Sequence, residues 1–583
     1  MRRRFKGIAM SSLAQKLTEI MEQAFSALEL PKENARVQVS GQVEAAQFQC
    51  NGAMPSAKIA RKNPREIAQN IIDQVKHIEI FEDISIGGPG FINITLTDTY
   101  ITEHLKSLLK DVRFGIPSVE QGQNIVLDYG GPNIAKAMHV GHLRSSIIGD
   151  SLRRMCLHAG YNAIGDVHMG DWGSPMGMIL SELELMNFDG DITMEMLAEI
   201  YPKASNACKE DKARMALARA ATHKLQNGDE SYTKLWREFI DVSIVGMKKN
   251  FDALGVHFDE WKGESDAHPF IDDMVKDLRS KNIAIDSEGA LIVPVAQDSD
   301  KKELPPLMLL KSDGAVLYGT TDLATIIERK QSHNPSKIIY VVDQRQALHF
   351  EQVFRAARKS GIAPEDKIEL IHAGFGTMNG SDGKPFKTRA GGVMRLEELI
   401  SMAIEKAQSR LDEAELAKDM DKAERASVAH KVAIAAVKFA DLQNNRSADY
   451  IFDIDRMTSF EGKTGPYLLY QAVRIQSLLR KAHVQGDIIC EEFKITDGDR
   501  SLALLLSELP DHFASAMKHY TPHLLCDYAF KLAQEFSSFY GNCHILSEKD
   551  EALKLSRLAL CQQTHKQLSL MLEMLGIEIP ARM

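Results

Sequence analysis

The hydrophobic positions at the start of the chain repeat at the spacing of an amphipathic helix. Within residues 11–30, apolar side chains recur every three or four positions, the period of a helix with one buried face. Residues 81–96 alternate apolar and polar side chains on both sides of a Gly-Pro-Gly turn, which predicts a pair of strands. Another helical pattern near 98–112 precedes the turn-rich segment 113–123. These patterns predict an N-terminal α+β domain over 1–118.

The pattern then changes to that of an α/β unit. Residues 124–129 form an apolar run that predicts a short buried strand, and a loop of glycine and proline follows at 130–133. Residues 142–160 place apolar side chains on one helical face and end in a glycine suited to a helix C-cap. A strand, a glycine-bearing loop and a helix in this order open many nucleotide-binding folds.

Two later apolar runs extend this prediction. Residues 337–342 and 367–375 have the composition of further strands in a parallel sheet. Between the first strand and these runs, residues 181–285 are mostly charged and helical in pattern. We therefore predict a Rossmann-like parallel-sheet catalytic domain over 119–394 that carries a helical insertion at about 181–285.

Almost everything beyond residue 395 has a helical pattern. Residues 395–465 are predicted to form a helical connecting region, and 466–583 contain amphipathic segments rich in Leu, Phe and Tyr. Such segments without a strand pattern are typical of an all-α bundle. The predicted fold class is thus α/β, with an α+β domain before the parallel sheet and a helical domain after it.

Composition narrows the classes of function. A chain of 583 residues is long enough for several domains, and no apolar run approaches the roughly 18 residues that a membrane span requires. Its seven cysteines include no Cys-x-x-Cys pair, which argues against a disulfide framework or a four-thiolate zinc site. The net charge of −10 argues against a protein that coats nucleic acid without specificity. We expect a cytoplasmic protein.

The sharpest local feature is His139-Val140-Gly141-His142, between the predicted loop and helix. Free N–H groups and the helix dipole attract phosphate at such a junction, where two imidazoles would face the same region. Gly141 would allow a nucleotide to lie directly against the backbone. The alternatives are two ordinary surface histidines or half of a metal site. The position after a strand and before a helix favours phosphate binding.

A second feature is the segment GSDGKPFKTRAGG at 380–392. It holds Lys384 and Lys387 three residues apart, between glycines on both sides. A loop of this kind could bring two ammonium groups to a departing pyrophosphate. Taken alone, the segment is better explained as a solvated turn of glycine and lysine.

Together these features resemble one family. HVGH followed by KPFKT is similar to the HIGH and KMSKS elements of class I aminoacyl-tRNA synthetases. The wider motifs resemble the bacterial branch of the arginyl-tRNA synthetases, and the resemblance extends over practically all of 10–583. These motifs are GPNIAKAMHVGHLRS (131–145), GDWG (170–173), YGTTD (318–322), GKPFKTR (383–389) and LGIEIPARM (575–583).

The resemblance implies a two-step reaction. Arginine and ATP form arginyl-adenylate, and arginine then passes to the 3′-terminal ribose of tRNA(Arg). His139, Gly141 and His142 would bind ATP, with the two histidines stabilising the transition state. Lys384 and Lys387 would stabilise pyrophosphate, and the resemblance adds Lys136 as a further cation. Magnesium is expected with ATP, and no structural metal is expected.

The resemblance also implies an arginine pocket. Asp322 and Tyr318 would bind the guanidinium end, with Gln346 lining the same pocket, because a carboxylate matches the planar fork of a guanidinium. Asn133 and Asp128 would hold the α-amino and α-carboxylate end, with Asp128 serving the ammonium. Asp322 could alternatively be the N-cap of the following helix.

The positions that would contact tRNA lie in the outer domains. The resemblance places Phe91 and Asn93 at the tRNA elbow, and Tyr467, Tyr470 and Arg474 at the anticodon loop. The last three are spaced i, i+3 and i+7, which puts them on one helix face. Aromatic and arginine side chains stack on unpaired bases. Phe91 and the two tyrosines could instead belong to hydrophobic cores.

Two other functions remain open from the sequence. A relative that binds tRNA without catalysis is disfavoured by the intact candidate residues, and a small-molecule nucleotidyltransferase is disfavoured by the C-terminal bundle. No editing domain is expected, because an arginine pocket can discriminate by charge and hydrogen bonds. We expect a monomer that does not bind membranes.

Overall fold

The computed structural model describes residues 12–41, 46–119, 122–312, 314–384, 386 and 394–583. Lys387, predicted above to contact pyrophosphate, lies outside these residues. Within the described part of the chain, no helix is both long and apolar enough to cross a membrane. The cysteines are buried free thiols.

The first domain packs helices against one face of an antiparallel sheet. Its elements are α1 (Leu13–Ala27), β1 (Val37–Val39), β2 (Phe48–Cys50), α2 (Ala53–Ala60), α3 (Pro64–Val75), β3 (Phe81–Gly87), β4 (Phe91–Leu96) and α4 (Asp98–Lys110). The strand order is β1-β2-β4-β3, with every neighbouring pair antiparallel. Along β4, buried and half-buried residues alternate, so Ile92 and Ile94 face the core while Phe91 and Asn93 point to the opposite side.

The centre of the molecule is a four-stranded parallel sheet. Its strands are β5 (Asn124–Asp128), β6 (Asn162–Asp166), β10 (Lys337–Tyr340) and β11 (Glu369–His372), and their order in the sheet is β11-β10-β5-β6. The neighbouring helices are α5 (Leu143–His158), α12 (Tyr318–His333) and α13 (Ala347–Ser360). The predicted parallel sheet is confirmed. Ile125, Val126 and Leu127 are all buried, as expected for a strand covered on both faces.

A long excursion separates β6 from α12. Its helices are α6 (Ser174–Leu185), α7 (Met194–Glu210), α8 (Lys212–Gln226), α9 (Glu230–Leu254), α10 (Glu264–Ala267) and α11 (Ile271–Ser280). An antiparallel sheet of β7 (Ile285–Ser287), β8 (Ala290–Val293) and β9 (Leu307–Leu310) follows. The helical character of 181–285 is confirmed, whereas the sequence analysis missed this sheet, because strands of three or four residues are too short for a clear alternation.

The remainder of the chain is almost entirely helical. Two-residue strands β12 (Met378–Asn379) and β13 (Tyr450–Ile451) pair in parallel, and the helices are α14 (Leu396–Glu413), α15 (Lys422–Leu442), α16 (Ile454–Met457), α17 (Gly465–Lys481), α18 (Asp497–Leu506), α19 (Leu509–His519), α20 (His523–Asn542) and α21 (Glu551–Met574). The predicted helical bundle is confirmed.

A buried lysine joins this helical region to the catalytic unit. Lys438 of α15 is fully buried and donates to the carbonyl oxygen of Gly576, just beyond α21, at 2.7 Å. Its Nζ also lies 3.4 Å from the carbonyl oxygen of Gly255 and 4.0 Å from Asp150 of α5. The segment after α21 is therefore fixed, through Lys438, close to α5 and the end of α9.

Candidate active site

The segment from His139 to His142 forms a compact turn at the start of α5. The N–H of His139 donates to Nδ1 of His142 at 3.1 Å, and the N–H of Gly141 donates to Nδ1 of His139 at 3.0 Å. The two rings stack with centroids 4.0 Å apart. Because each Nδ1 accepts a hydrogen bond, each neutral ring carries its proton on Nε2. The turn therefore presents two N–H donors.

Burial keeps these rings uncharged. It lowers the pKa of His142 to about 3, with the positive charges of His139 and Lys136 acting in the same direction. Burial and then Lys136 also lower the pKa of His139. Near neutral pH both side chains are hydrogen-bond donors without a full charge. Gly141 is needed at the turn, since an added Cβ would lie 2.7 Å from the His139 ring.

A cavity of about 250 Å³ lies beside this turn. It is bounded by His139, Arg144, Asp343, the segment 375–378 and Phe386. Lys384 is exposed in the chain between Met378 and Phe386, with its carbonyl accepting from Gly380 N–H at 2.8 Å. The structure thus places the described part of the predicted phosphate loop next to HVGH.

Arg144 gives the cavity a fixed wall. It is 2% exposed, forms a 3.0 Å ion pair with Asp441 of α15 and donates to the carbonyl oxygen of Ala448 at 3.0 Å. Its guanidinium carbon also lies 5.1 Å from the centroid of the Tyr450 ring. These contacts tie the helix that follows HVGH to α15.

Asp322 lies inside helix α12. The helix begins at Tyr318 with Leu317 at the N-cap, so the alternative that Asp322 is an N-cap is wrong. Asp322 is half-buried, and its Oδ2 is hydrogen-bonded to Nε2 of His349, on α13. That hydrogen bond raises the pKa of His349. The sequence analysis missed His349, which stands 27 residues away in a different helix.

Two further predicted pocket residues are exposed. Tyr318 is 70% exposed at the start of α12, and Gln346 is exposed immediately before α13. Partial burial raises the pKa of Tyr318, and nearby Glu264, Tyr201 and Asp322 act in the same direction. Tyr318 and Asp322 therefore belong to the same cluster of side chains.

Glu264 adds a second carboxyl group to this cluster, so Tyr318, Asp322 and Glu264 are together called the acidic cluster. It is half-buried at the first residue of α10, and burial raises its pKa to about 7. The charges of Asp171 and Asp322 raise that pKa further, while His168 opposes them. Asp171, from the GDWG segment, accepts from the N–H of Ser265 at 2.9 Å. The sequence analysis missed Glu264, because it belongs to none of the motifs quoted.

Asp128 has a partner inside the protein. It is 7% exposed at the end of β5, and its Oδ2 lies 2.7 Å from Nη2 of Arg329. The same Nη2 lies 2.6 Å from Asp166 of β6. Arg329 is fully buried on α12, and the two carboxylates raise its pKa against the cost of burial. The predicted contact of Asp128 with a substrate ammonium stays a prediction.

Asn133 and Lys136 lie on the loop that follows β5. Asn133 is exposed and forms a bridge with Gly170, where an added Cβ would lie 2.0 Å from Asn133 Oδ1. Lys136 Nζ stands over the ring of Tyr201, 4.4 Å from its centroid. This loop therefore joins the HVGH turn to the acidic cluster.

The residues predicted to contact tRNA lie in the two outer domains. Phe91 is half-buried on the face of β4 away from the core, so its assignment to the core is wrong, and Asn93 Oδ1 accepts from Gln49 at 2.9 Å. On α17, Tyr470 is 36% exposed. Tyr467, on the same helix, is half-buried and packs on the core. Arg474 lies 4.3 Å from the centroid of the Tyr540 ring.

The alternative that the HVGH histidines form half of a metal site requires further ligands close to them, and the described residues provide none. Across the described ranges, no group of three His, Cys, Asp or Glu side chains is placed to hold a metal ion. Both Nδ1 atoms of the histidine pair already accept backbone N–H groups.

Comparison with known proteins identifies three matching regions. The model described as "tRNA synthetases class I (R), catalytic domain" matches residues 104–454. "Arginyl tRNA synthetase N terminal domain" matches 11–96, and "DALR anticodon binding domain" matches 468–583.

Curated relatives and a solved structure match over the full length. The arginine–tRNA ligase of Maricaulis maris is 49% identical, covering 98% of this chain and 100% of the relative. That of Hyphomonas neptunium is 46% identical with the same coverage. The crystal structure of arginyl-tRNA synthetase from Plasmodium falciparum has a TM-score of 0.85 at 28% identity and covers 99% of this chain and 100% of its own.

Proposed function

This chain belongs to the arginine–tRNA ligase family of class I aminoacyl-tRNA synthetases, and from that premise we propose the role of each part of its site. It activates arginine with ATP and transfers it to tRNA, releasing AMP and diphosphate. The alternatives of a tRNA-binding relative without catalysis and of an RNA-free nucleotidyltransferase are set aside by this membership, which includes an anticodon-binding domain.

The histidine pair is proposed to bind the triphosphate. In the first step the arginine carboxylate attacks the α-phosphorus in line with the departing diphosphate, so positioning and charge stabilisation supply most of the rate. His139 and His142 would donate from Nε2–H to phosphate oxygens, which is supported by their occupied Nδ1 atoms. Lys136, Lys384 and Lys387 would supply the full positive charges, which the neutral rings lack.

The acidic cluster is proposed to bind arginine. Asp322 would accept two hydrogen bonds from the guanidinium, with Tyr318 and Gln346 beside it and Glu264 adding negative charge. Lysine has one compact ammonium and cannot pair with both carboxylate oxygens in the same geometry, so it should be rejected roughly a thousandfold or more.

The other end of the substrate is proposed to lie over β5. Asn133 is exposed on the loop, and the Arg329 ion pair engages only Oδ2 of Asp128 within hydrogen-bonding distance. We therefore propose that Asn133 and Asp128 hold the α-carboxylate and α-amino groups, with Asp128 serving the ammonium. Burial raises the pKa of Asp128, and the charge of Arg329 opposes that rise.

Two surfaces are proposed for tRNA(Arg). Phe91 and Asn93 would contact the elbow, and Tyr467, Tyr470 and Arg474 the anticodon loop. Support comes from Phe91 facing away from its core and from the exposure of Tyr470, since bases stack on accessible aromatic rings.

The remaining proposals concern the setting of the reaction. Mg²⁺ is proposed to accompany ATP, whose phosphate oxygens are the hard ligands that it prefers. We also propose that the enzyme acts as a monomer in the cytoplasm.

One juxtaposition carries the proposal for the site: a stacked pair of neutral histidines and a carboxylate cluster stand at the same end of one parallel sheet. The test is ATP–pyrophosphate exchange with each of the twenty amino acids, with and without tRNA. We expect exchange with arginine alone among the twenty. No exchange above background in the presence of tRNA, or equal exchange with lysine, would overturn it.

A further inference from the structure

Tyr201 connects the helical insertion to the active site. It is half-buried on α7, eight residues into that helix, and its ring receives the Lys136 ammonium at 4.4 Å from the centroid. A cation at this distance from an aromatic face is attracted by the ring quadrupole. The contact joins the insertion to the loop that leads into HVGH.

Lys136 stands on the phosphate side of the site. Its positive charge contributes to the lowered pKa of both His139 and His142, so the ammonium lies within electrostatic range of the two rings. Lys136 also lines a cavity of about 600 Å³ together with Glu195 and Glu199 of α7. Without an opposing attraction, a flexible lysine beside such a cavity would turn toward these carboxylates.

The other neighbour of Tyr201 belongs to the amino-acid side. Tyr201 is one of the groups that raise the pKa of Tyr318, which lies in the acidic cluster with Asp322 and Glu264. One aromatic side chain therefore lies close both to the cation near the histidines and to a tyrosine of the proposed arginine pocket.

We propose that Tyr201 is a positioning residue for amino-acid activation, holding the Lys136 ammonium beside the histidine pair and away from Glu195 and Glu199. The inference deepens the proposed function and rests on the role given there to Lys136. The ring supplies the attraction, so the hydroxyl group is dispensable for this role. The helical insertion thereby takes part in phosphate chemistry through a single side chain.

The first test compares Tyr201→Leu with Tyr201→Phe in arginine-dependent ATP–pyrophosphate exchange, run on the full chain with tRNA present. Loss of the ring should lower kcat about tenfold while the KM for arginine changes less than twofold. Phenylalanine keeps the aromatic face and should restore most of the rate. A purely packing role would not separate kcat from KM in this way.

The matched control is Tyr232→Leu. Tyr232 lies on α9 of the same insertion, and Lys224 Nζ stands 4.9 Å from its ring centroid, so the substitution removes the same kind of contact elsewhere. We expect kcat to stay within about twofold of the parent enzyme, because this cation–π contact involves no residue that we assign to the active site. The Tm of each variant, measured in parallel, separates loss of fold from loss of rate.

The decisive test combines Tyr201→Leu with Lys136→Met. If Tyr201 acts through Lys136, its loss should cost nothing more once the ammonium is gone, and the two effects on kcat should be strongly non-additive. The proposal would be overturned if the effects of Tyr201→Leu and Lys136→Met on kcat were fully additive. It would also be overturned if Tyr201→Phe lowered kcat as much as Tyr201→Leu.

Failure of this inference is distinguishable from failure of the proposed function. If the parent enzyme shows no arginine-dependent exchange, the function itself is wrong. If the parent is active but Lys136→Met retains full kcat, Lys136 has no role in the reaction and Tyr201 cannot act through it.

Discussion

The two halves of the active site handle charge in opposite ways. On the amino-acid side two carboxylates are buried or half-buried and have a partner: Asp322 with His349, and Asp128 with Arg329. On the nucleotide side the histidines are half-buried and neutral, whereas Lys384, a full positive charge, is exposed.

The difference follows from what each half must bind. A cationic side chain is recognised by fixed carboxylates, and burying them requires an internal cation to offset the cost. A triphosphate brings several negative charges of its own, so neutral donors can contribute to holding it, and cations can join from the surface. Each prediction below tests one side of this contrast.

The largest effect is expected from Asp322→Ala. Loss of the carboxylate should lower kcat/KM for arginine a thousandfold or more, since the guanidinium would be left unpaired in the pocket. Asp322→Asn keeps the shape of the side chain without its charge, so its kcat/KM for arginine should lie between those of the parent enzyme and Asp322→Ala. Binding of tRNA, measured by filter retention, should persist. A near-normal kcat/KM for arginine in Asp322→Ala would mean that a different carboxylate of the protein binds the guanidinium.

The next effect concerns the internal cation. Arg329→Met leaves Asp128 and Asp166 buried without their partner and should lower the free energy of unfolding by about 3–5 kcal/mol in a urea titration. Arg279→Met breaks an exposed ion pair with Asp286 and should change it by less than about 0.5 kcal/mol. Adding Asp128→Asn to Arg329→Met should recover part of the loss. Equal effects of Arg329→Met and Arg279→Met would mean that the two buried carboxylates do not need an internal cation.

Lys387→Ala probes the nucleotide side. We expect kcat to fall about a hundredfold with little change in the KM for arginine, because a cation on the departing diphosphate acts in the transition state. The exposed Lys281, paired with Asp277 on α11, offers a control substitution to Ala without effect. A change confined to the arginine KM would contradict the division between the halves.

The smallest effect is a pH dependence on the amino-acid side. Burial raises the pKa of Glu264 to about 7, so this carboxyl is mainly neutral below that pH and negative above it. Arginine is a cation throughout, and its KM should therefore fall up to about tenfold from about pH 6 to about pH 8. Glu264→Gln should stay near the low-pH value at every pH. A wild-type slope in this variant would assign the titration to another group, such as His349.

The sequence predicts well what neighbouring residues determine. The HVGH turn is built by hydrogen bonds from backbone N–H groups to imidazole nitrogens within four consecutive residues, and the strand before it and the helix after it follow from apolar periodicity. The parallel sheet and the helical C-terminal domain were predictable for the same reason. Short strands such as Ile285–Ser287 carry too few positions for any period to be recognised.

Partners that are distant in sequence were not predictable. Asp128 and Arg329 are 201 residues apart, and no spacing rule connects them. Glu264 and Tyr201 sit in stretches of ordinary charged helix, where nothing local marks them as part of a site. The role of Asp322 in binding arginine stays a prediction, whereas its alternative as an N-cap was wrong, because the helix begins four residues earlier, at Tyr318.

The contact between Lys438 and Gly576 has a consequence for synthesis on the ribosome. The two residues are 138 positions apart, and the late carbonyl of Gly576 is the nearer of the two carbonyl acceptors of this buried lysine. At typical elongation rates Gly576 is added roughly 7 to 28 seconds after Lys438. During that interval the ammonium lacks its nearer acceptor, so the contact that fixes the segment after α21 forms only once residue 576 has been translated.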